Sequence, residues 1–295
     1  MRADDVDHVR QFNRTVAQRI DALSDDFLAT HRPMAEARLL WEIGADGCEV
    51  RTLRNRLGLD SGHASRLLRA LESDGMARVE PSASDRRIRV ARLTRAGQRE
   101  WAQIDRRSDD FAASMLAPLG ERDRKRLVEA MRTVQRLLTA AAVEIREVDP
   151  AGPDARQCLR SYVAELNERW EAGFDPAAGV SAEPHELTPP AGCFLVAYLY
   201  GEPIGCGGVK HLPGGPSDIK RMWVSPAARG LGLGRRLLHE LEQRVRDSGA
   251  TVARLETNRV LAEAIGLYRS EGYVEVEAFN DEPFAHHWFE KPLTT

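Results

Sequence analysis

Apolar positions recur every three or four residues through most of the first half of the chain. Val9, Phe12, Val16, Ile20, Leu23 and Phe27 form one stripe of a helix over 5–30. A second helix begins after Pro33, runs through AEARLLWEI and stops near Ala45-Asp46-Gly47. Val50, Leu53 and Leu57 mark a short third helix ended by Gly58. Ser61 is an N-cap for a fourth over 61–74, with Leu67, Leu68 and Leu71 turned inward. The period then changes from 3.6 to 2: Val79, and after it Ile88, Val90 and Leu93, read as strands joined by a polar tip, Pro81–Arg87. Helical spacing resumes over 95–117 and 121–145, segments that can close either a core or a dimer interface.

The second half alternates strands with helices. Val143, Ile145 and Val148 suggest a strand, and Pro150–Pro153 a turn, with no Gly/Ser tether around it. An apolar hairpin follows at 193–200 and 203–211, then the strand SDIKRMWVSP, a glycine turn, and a helix with Leu237, Leu238, Leu241 and Val245 on one face. TVARLETN is another strand, RVLAEAIGLYRSEGY a helix with Gly272 as its C-cap, and HWFEKPL a last strand at 287–293. Two domains are predicted, 1–145 and 146–295.

Charge separates them further. The net charge is -3, yet residues 51–95 hold 11 arginines against 5 acids, while 146–295 hold 16 basic residues against 22 acidic ones. A local basic excess suits a polyanion; an acidic domain mildly favours a cationic amine. The solvent side of the 61–74 helix carries Ser61, Gly62, His63, Ser65, Arg66 and Arg69. Small residues first and arginines later allow close approach to a major groove. Arg86 and Arg87, at the hairpin tip, suit a narrow minor groove, and Asp85 either braces an arginine or turns the hairpin. No apolar run reaches the ~20 residues of a membrane helix, and the polar N-terminus is not a secretory signal. Cys48, Cys158, Cys193 and Cys206 lack metal-ligand spacing, so no metal is expected and the setting is read as a reducing cytoplasm.

Helix–turn–helix, a charged hairpin, D-x-R at Asp85 and Arg87, and LTRAG at 93–97 together resemble the MarR family of transcriptional regulators over about 5–145. The resemblance implies a mainly helical winged helix-turn-helix domain. Its 61–74 helix reads the major groove, its wing arginine reaches the minor groove, and its long flanking helices make a homodimer on a pseudo-palindromic double-stranded operator.

In ARGLGLGRRLL, 228–238, glycines separate a strand from a helix and leave backbone N–H groups free for an anion. Arg235-Arg236 stands where a P-loop needs Lys-Ser/Thr, and G-x-G-x-G-R is not a dinucleotide fingerprint. The pattern R-x-x-G-x-G at Arg229, Gly232 and Gly234 resembles the pyrophosphate loop of the GNAT N-acetyltransferases. LYxxxGY at 267–273 and HWFEKPL resemble that fold's later elements. The resemblance covers about 145–295 and implies an α/β mixed sheet with acetyl-CoA as co-substrate. Met222, Trp223 and Val224 would pair with the carrier's arm, and Arg229, Gly230, Leu231, Gly232, Leu233, Gly234, Arg235 and Arg236 would meet its pyrophosphate. Many members carry Asn seven residues before the tyrosine, where this chain has Leu261; Asn258 is the nearest candidate contact.

The same resemblance implies acetyl transfer to an amine acceptor. Tyr268 is the expected general acid to the departing sulfur, and Asp218 or Glu256 the base. Trp170, Phe174 and Tyr198 are candidate walls of an acceptor pocket. The expected whole is a bifunctional regulator and N-acetyltransferase. The alternatives are an enzyme with a vestigial DNA-binding half and a non-catalytic acetyl-CoA sensor.

Overall fold

The computed structural model describes residues 2–19, 32–83, 85–170, 173, 175 and 182–293, and divides at Leu127/Val128 into two units. In the first unit, α1 spans Ala3–Arg19; the expected continuation of this helix over 20–30 lies outside the described residues. α2 (Met34–Ile43), α3 (Val50–Leu57) and α4 (Ser61–Ser73) follow the apolar spacing. The cap of α4 is one residue earlier than the sequence predicts: Asp60, not Ser61, is extended and accepts the His63 N–H at 2.8 Å. A carboxylate there also suits the positive end of the helix dipole.

The wing strands β2 (Ala77–Pro81) and β3 (Arg89–Leu93) pair antiparallel, and a two-residue strand β1 (Cys48–Glu49) adds to β3, giving the order β1-β3-β2. LTRAG has a structural explanation. Thr94 caps α5 (Arg95–Leu116), its hydroxyl accepting the Gly97 N–H and donating to the Gly75 carbonyl. A Cβ on Gly97 would lie 2.0 Å from the Met76 carbonyl oxygen, so no other residue fits. Leu39, Leu40, Leu53, Leu68, Leu71 and Ile104 form this unit's core.

α6 (Glu121–Ala141) ends before the expected 145, because Val143–Glu147 forms β4, paired antiparallel with β5 (Gly192–Leu199). The strand that the expected 145/146 boundary would cut therefore belongs wholly to the second unit's sheet. That sheet runs β4-β5-β6-β7-β8-β10-β9, with β6 Glu202–His211, β7 Ser217–Val224, β8 Val252–Thr257, β9 Val274–Val276 and β10 His287–Pro292. Every pairing is antiparallel except β7 with β8, so the sheet is mixed. β5 reads as an unbroken apolar run because both its faces are covered. Cys193 and Leu195 join the cluster beneath α8 (Leu233–Asp247) and α9 (Ala262–Ser270). Phe194, Val196 and Tyr198 join the cluster beneath α7 (Pro153–Arg169).

Candidate active site

The parallel contact between β7 and β8 covers only Ser217 with Ala253 and Asp218 with Arg254. Side chains two apart on a strand share a face, so the next positions oppose one another as well, and two ion pairs of reversed polarity cross the gap. Arg254 Nε reaches Asp218 Oδ1 at 2.6 Å; Lys220 Nζ then pairs with Glu256 Oε1. The first pair is closed, with the Arg254 guanidinium stacked 4.1 Å from the Phe279 ring centroid. The second lines a cavity of about 120 Å³. Both its members are less than a tenth exposed, and Glu256 Oε2 has no hydrogen-bond partner among the described residues. Leaving a buried oxygen unsatisfied is unfavourable by about 1–3 kcal/mol, more for a charged group; a donor entering the cavity removes that penalty.

A bulge shapes the same wall. Gly207 of β6 faces two residues of β7, because the register passes from Cys206–Trp223 to Gly208–Lys220. Arg221 takes a positive φ of 55°. A regular strand would alternate its side chains; here Lys220, Arg221 and Met222 all line one cavity.

A second cavity, of about 460 Å³, lies along the glycine turn. Tyr162, Met222, Ala264 and Tyr268 line both cavities. The Tyr268 ring packs on Tyr273 and Phe289, whereas its hydroxyl makes no hydrogen bond to any described residue. Burial holds the phenols of Tyr162 and Tyr268 protonated well above the ordinary tyrosine range.

Gly230 and Gly232 have φ of 79° and 74°, which favours glycine at both positions. Among the described residues, no acceptor is bonded to the N–H groups of 230–235. The Arg229 N–H before them bonds to Pro226 O and the Arg236 N–H after them to Gly232 O. Those free donors open the N-terminus of α8 and border the larger cavity. The arginines are less available. Arg229 pairs with Glu165, Arg235 with Glu271, and Arg236 donates to Val143 O at 2.8 Å. Burial pushes the Glu165 carboxyl up, but bonds from Arg229 and Trp223 and the charge of Arg169 outweigh it and hold it below its ordinary range.

Three expected site residues stand elsewhere. Asp218 borders neither cavity, its carboxylate being held by Arg254. Asn258 borders the smaller cavity and not the larger. Its amide clamps the chain after β8, donating to Phe284 O at 2.8 Å and accepting from Val260 N at 3.1 Å. Tyr198 bonds to Asp154 in the core beneath α7, while Trp170 does line the smaller cavity and Phe174 lies outside the described residues. Met222, Trp223, Val224, Leu233 and Gly234 border the larger cavity, and Leu231 packs behind the turn. Tyr162 and Glu165 were not anticipated. Their signal was the spacing of Tyr162, Glu165, Leu166 and Arg169 along α7, which puts one face of that helix on the cleft.

In the first unit Ser61, Arg66 and Arg69 are exposed on α4, with His63 and Ser65 half-buried. At the wing Asp85 does brace an arginine: it accepts from Arg87 Nε at 3.2 Å and from its NH2 at 3.0 Å, while that side chain stays 91% exposed. Arg86 is exposed beside it.

A model of the Acetyltransferase (GNAT) family matches residues 156–273, and a MarR family model matches 32–88. The chain is 39% identical over 104 residues to the IAA acetyltransferase of Azospirillum brasilense, an alignment spanning 34% of this chain and 67% of that protein. It is 33% identical over 126 residues to the N-alpha-acetyltransferase RimI of Mycobacterium tuberculosis, spanning 42% of this chain and 74% of the relative. Over 87 residues it is 29% identical to the uncharacterized HTH-type transcriptional regulator YdgJ of Bacillus subtilis, spanning 30% of this chain and 53% of that protein. The free-amide turn beside the larger cavity and the matches to family models and relatives agree: this chain belongs to the GNAT family of acetyltransferases and carries a MarR-family regulator domain ahead of its N-acetyltransferase domain.

Proposed function

We propose that the second unit transfers an acetyl group from acetyl-CoA to a primary amine, and that the first unit binds a pseudo-palindromic duplex as part of a homodimer. The observation that carries the enzymatic half is the meeting of the two cavities at Tyr162, Met222, Ala264 and Tyr268. The larger suits an elongated carrier whose diphosphate lies against the amides of 230–235; the smaller suits the acceptor. Free N–H groups at a helix start fit that group, since they add donors and a favourable dipole at once. Acetyl-CoA, when bound, supplies an activated acyl group on a thioester sulfur.

The remaining chemistry is the protein's. An alkyl ammonium with a pKa near ~10.4 must lose a proton before it attacks. Glu256 Oε2, buried and unpartnered among the described residues, is the acceptor for that proton, whereas Asp218 is already held by Arg254. A cysteine-like thiolate, with pKa ~8.5, leaves more readily when protonated. The Tyr268 hydroxyl, neutral and without a hydrogen-bond partner among the described residues, donates there. This pairing of an unsatisfied base with an unsatisfied acid favours a catalyst over a sensor.

The regulatory half is supported by exposed Arg66, Arg69, Arg86 and Arg87. The homodimer is supported by uncovered apolar side chains, Val9 and Phe12 on α1 and Leu137 and Leu138 on α6. Among the described residues no helix is long and apolar enough to cross a membrane; four cysteines outside any disulfide, three of them buried, support a cytoplasmic setting. Calorimetric titration with acetyl-CoA, followed by a thiol-release screen of amines, tests the enzyme. Micromolar or tighter binding with turnover of an amine is expected; no binding overturns it.

A further inference from the structure

Lysine is scarce in this chain. Of its 42 lysines and arginines only Lys125, Lys210, Lys220 and Lys291 are lysine, so the few positions that keep it stand out. The two ion pairs across the β7–β8 gap make the contrast. Asp218 is met by an arginine, Arg254, and borders neither cavity; Glu256 is met by Lys220, and both line the smaller one. An arginine would hold a carboxylate at least as well. What lysine adds is a primary amine, which becomes a nucleophile on losing a proton, whereas a guanidinium keeps its charge. Resting on the transferase reading above, we infer that Lys220 is itself an acceptor: in the presence of acetyl-CoA its Nζ takes up the acetyl group.

The placement meets each requirement of that step. Lys220 Nζ is bonded to Glu256 Oε1, so it already stands against the carboxylate assigned to receive an acceptor's proton. Its side chain is 8% exposed and lines the cavity that meets the larger one at Met222, two residues along the same strand, and at Tyr268. The flexible stem allows Nζ to turn towards that junction. Glu256 takes one proton from the ammonium and later passes it to water. The freed Nζ lone pair forms a bond to the thioester carbonyl carbon as the carbon–sulfur bond breaks, and Tyr268 protonates the departing sulfur. A second Nζ proton returns to the Tyr268 oxygen. The chain is left with a neutral Nε-acetyl-lysine, and coenzyme A leaves as its thiol. The other three lysines lack this setting. Lys125, on α6, is 72% exposed and pairs with Glu121, and Lys210 and Lys291 pair with Glu186 and Glu242; none of them lines either cavity.

The test uses the purified full chain with acetyl-CoA and no amine, the lysine-bearing peptides being mapped by mass spectrometry over time. A single acetyl group is expected on Lys220, at a rate at least about 10-fold above that on Lys125 and independent of protein concentration, as for an intramolecular step. Uncatalysed reaction of the thioester with exposed amines would instead favour Lys125. Tyr268→Phe and Glu256→Gln should each slow modification of Lys220 at least about 10-fold, while calorimetry still shows acetyl-CoA bound. Lys220→Arg should remove the fast-reacting position altogether. An acetyl group already on Lys220 in the purified chain supports the inference if purified Tyr268→Phe lacks it, and overturns it if that variant carries it equally. Lys220 left unmodified, modified no faster than Lys125, or modified at a rate proportional to protein concentration overturns self-acetylation; thiol release with an outside amine then leaves the transferase standing. No acetylation together with no thiol release across an amine screen, despite bound acetyl-CoA, overturns both.

Discussion

Replacing Tyr268 by phenylalanine isolates one hydroxyl. The ring sits against Tyr273 and Phe289 at centroid distances of 5.9 and 6.1 Å, contacts that phenylalanine keeps. The lost oxygen makes no hydrogen bond to any described residue, so unfolding in urea should change by less than about 0.5 kcal/mol. General acid catalysis contributes about 10²–10⁴-fold. Tyr162 borders the same junction and can substitute in part, which puts the expected fall in kcat near the lower end. A 10²-fold fall is about 2.7 kcal/mol of barrier. The KM for acetyl-CoA should stay within about 3-fold, since nothing in the amide cradle changes. Adding Tyr162→Phe should lower kcat about another 10-fold. Burial raises the Tyr268 pKa, so the acid stays protonated throughout the neutral and mildly alkaline range, and wild-type kcat should show no loss from this group up to about pH 10. The measurement is steady-state thiol release against pH with a competent acceptor. Undiminished kcat in Tyr268→Phe would refute the acid role, and a matching fall in stability would show that the residue is only packing.

Three further outcomes are expected. Gly232→Ala places a Cβ at φ 74°, costing about 1–2 kcal/mol in urea unfolding and at least about 10-fold in acetyl-CoA affinity by calorimetry; an unchanged affinity would detach the turn from the diphosphate. Glu165→Gln removes the carboxylate beside Arg229, so acetyl-CoA should bind more tightly at pH 7. Because the folded Glu165 pKa is depressed, the stability it lends is complete above the unfolded value near ~4.3 and should vanish, relative to Glu165→Gln, as pH falls through the folded value. Urea unfolding of both proteins from pH 7 to 3 checks this, and a difference that grows on acidification would contradict it. Arg66→Ala and Arg87→Ala should each lower the salt slope of operator binding by about one; unchanged slopes would place neither arginine on DNA.

What could be read from the chain was mostly local. The glycine turn and the wing hairpin depend on nearby residues and fold as their spacing implies, whereas LTRAG was legible as a pattern although its contacts reach back about twenty residues to Gly75 and Met76. Asp60 and Ser61 are both good caps, and only the backbone decides between them: Asp60 is the extended residue. Asp218 misled because its partner is set by strand register, Arg254 lying 36 residues away in sequence. Glu256 was legible as a carboxylate beside the glycine strand, but its unsatisfied oxygen is a property of the splayed strands and of no sequence window. Tyr162 was overlooked for a similar reason: α7 is a weakly patterned helix, and what distinguishes its inner face is the cavity it meets.

The placement of β10 between β8 and β9 has a consequence for biogenesis. β8, which bears Glu256, is hydrogen-bonded along its whole length only by residues 287–292, since its contact with β7 is two residues long. During translation at ~5–20 residues per second, the β4–β7 meander can assemble from sequential neighbours. β8 waits for residues that emerge from the ribosome some thirty positions after it. A nascent regulator domain is therefore ready to fold long before its enzyme partner can mature, and a frameshift or premature stop after β9 would release a chain with the first competence and without the second.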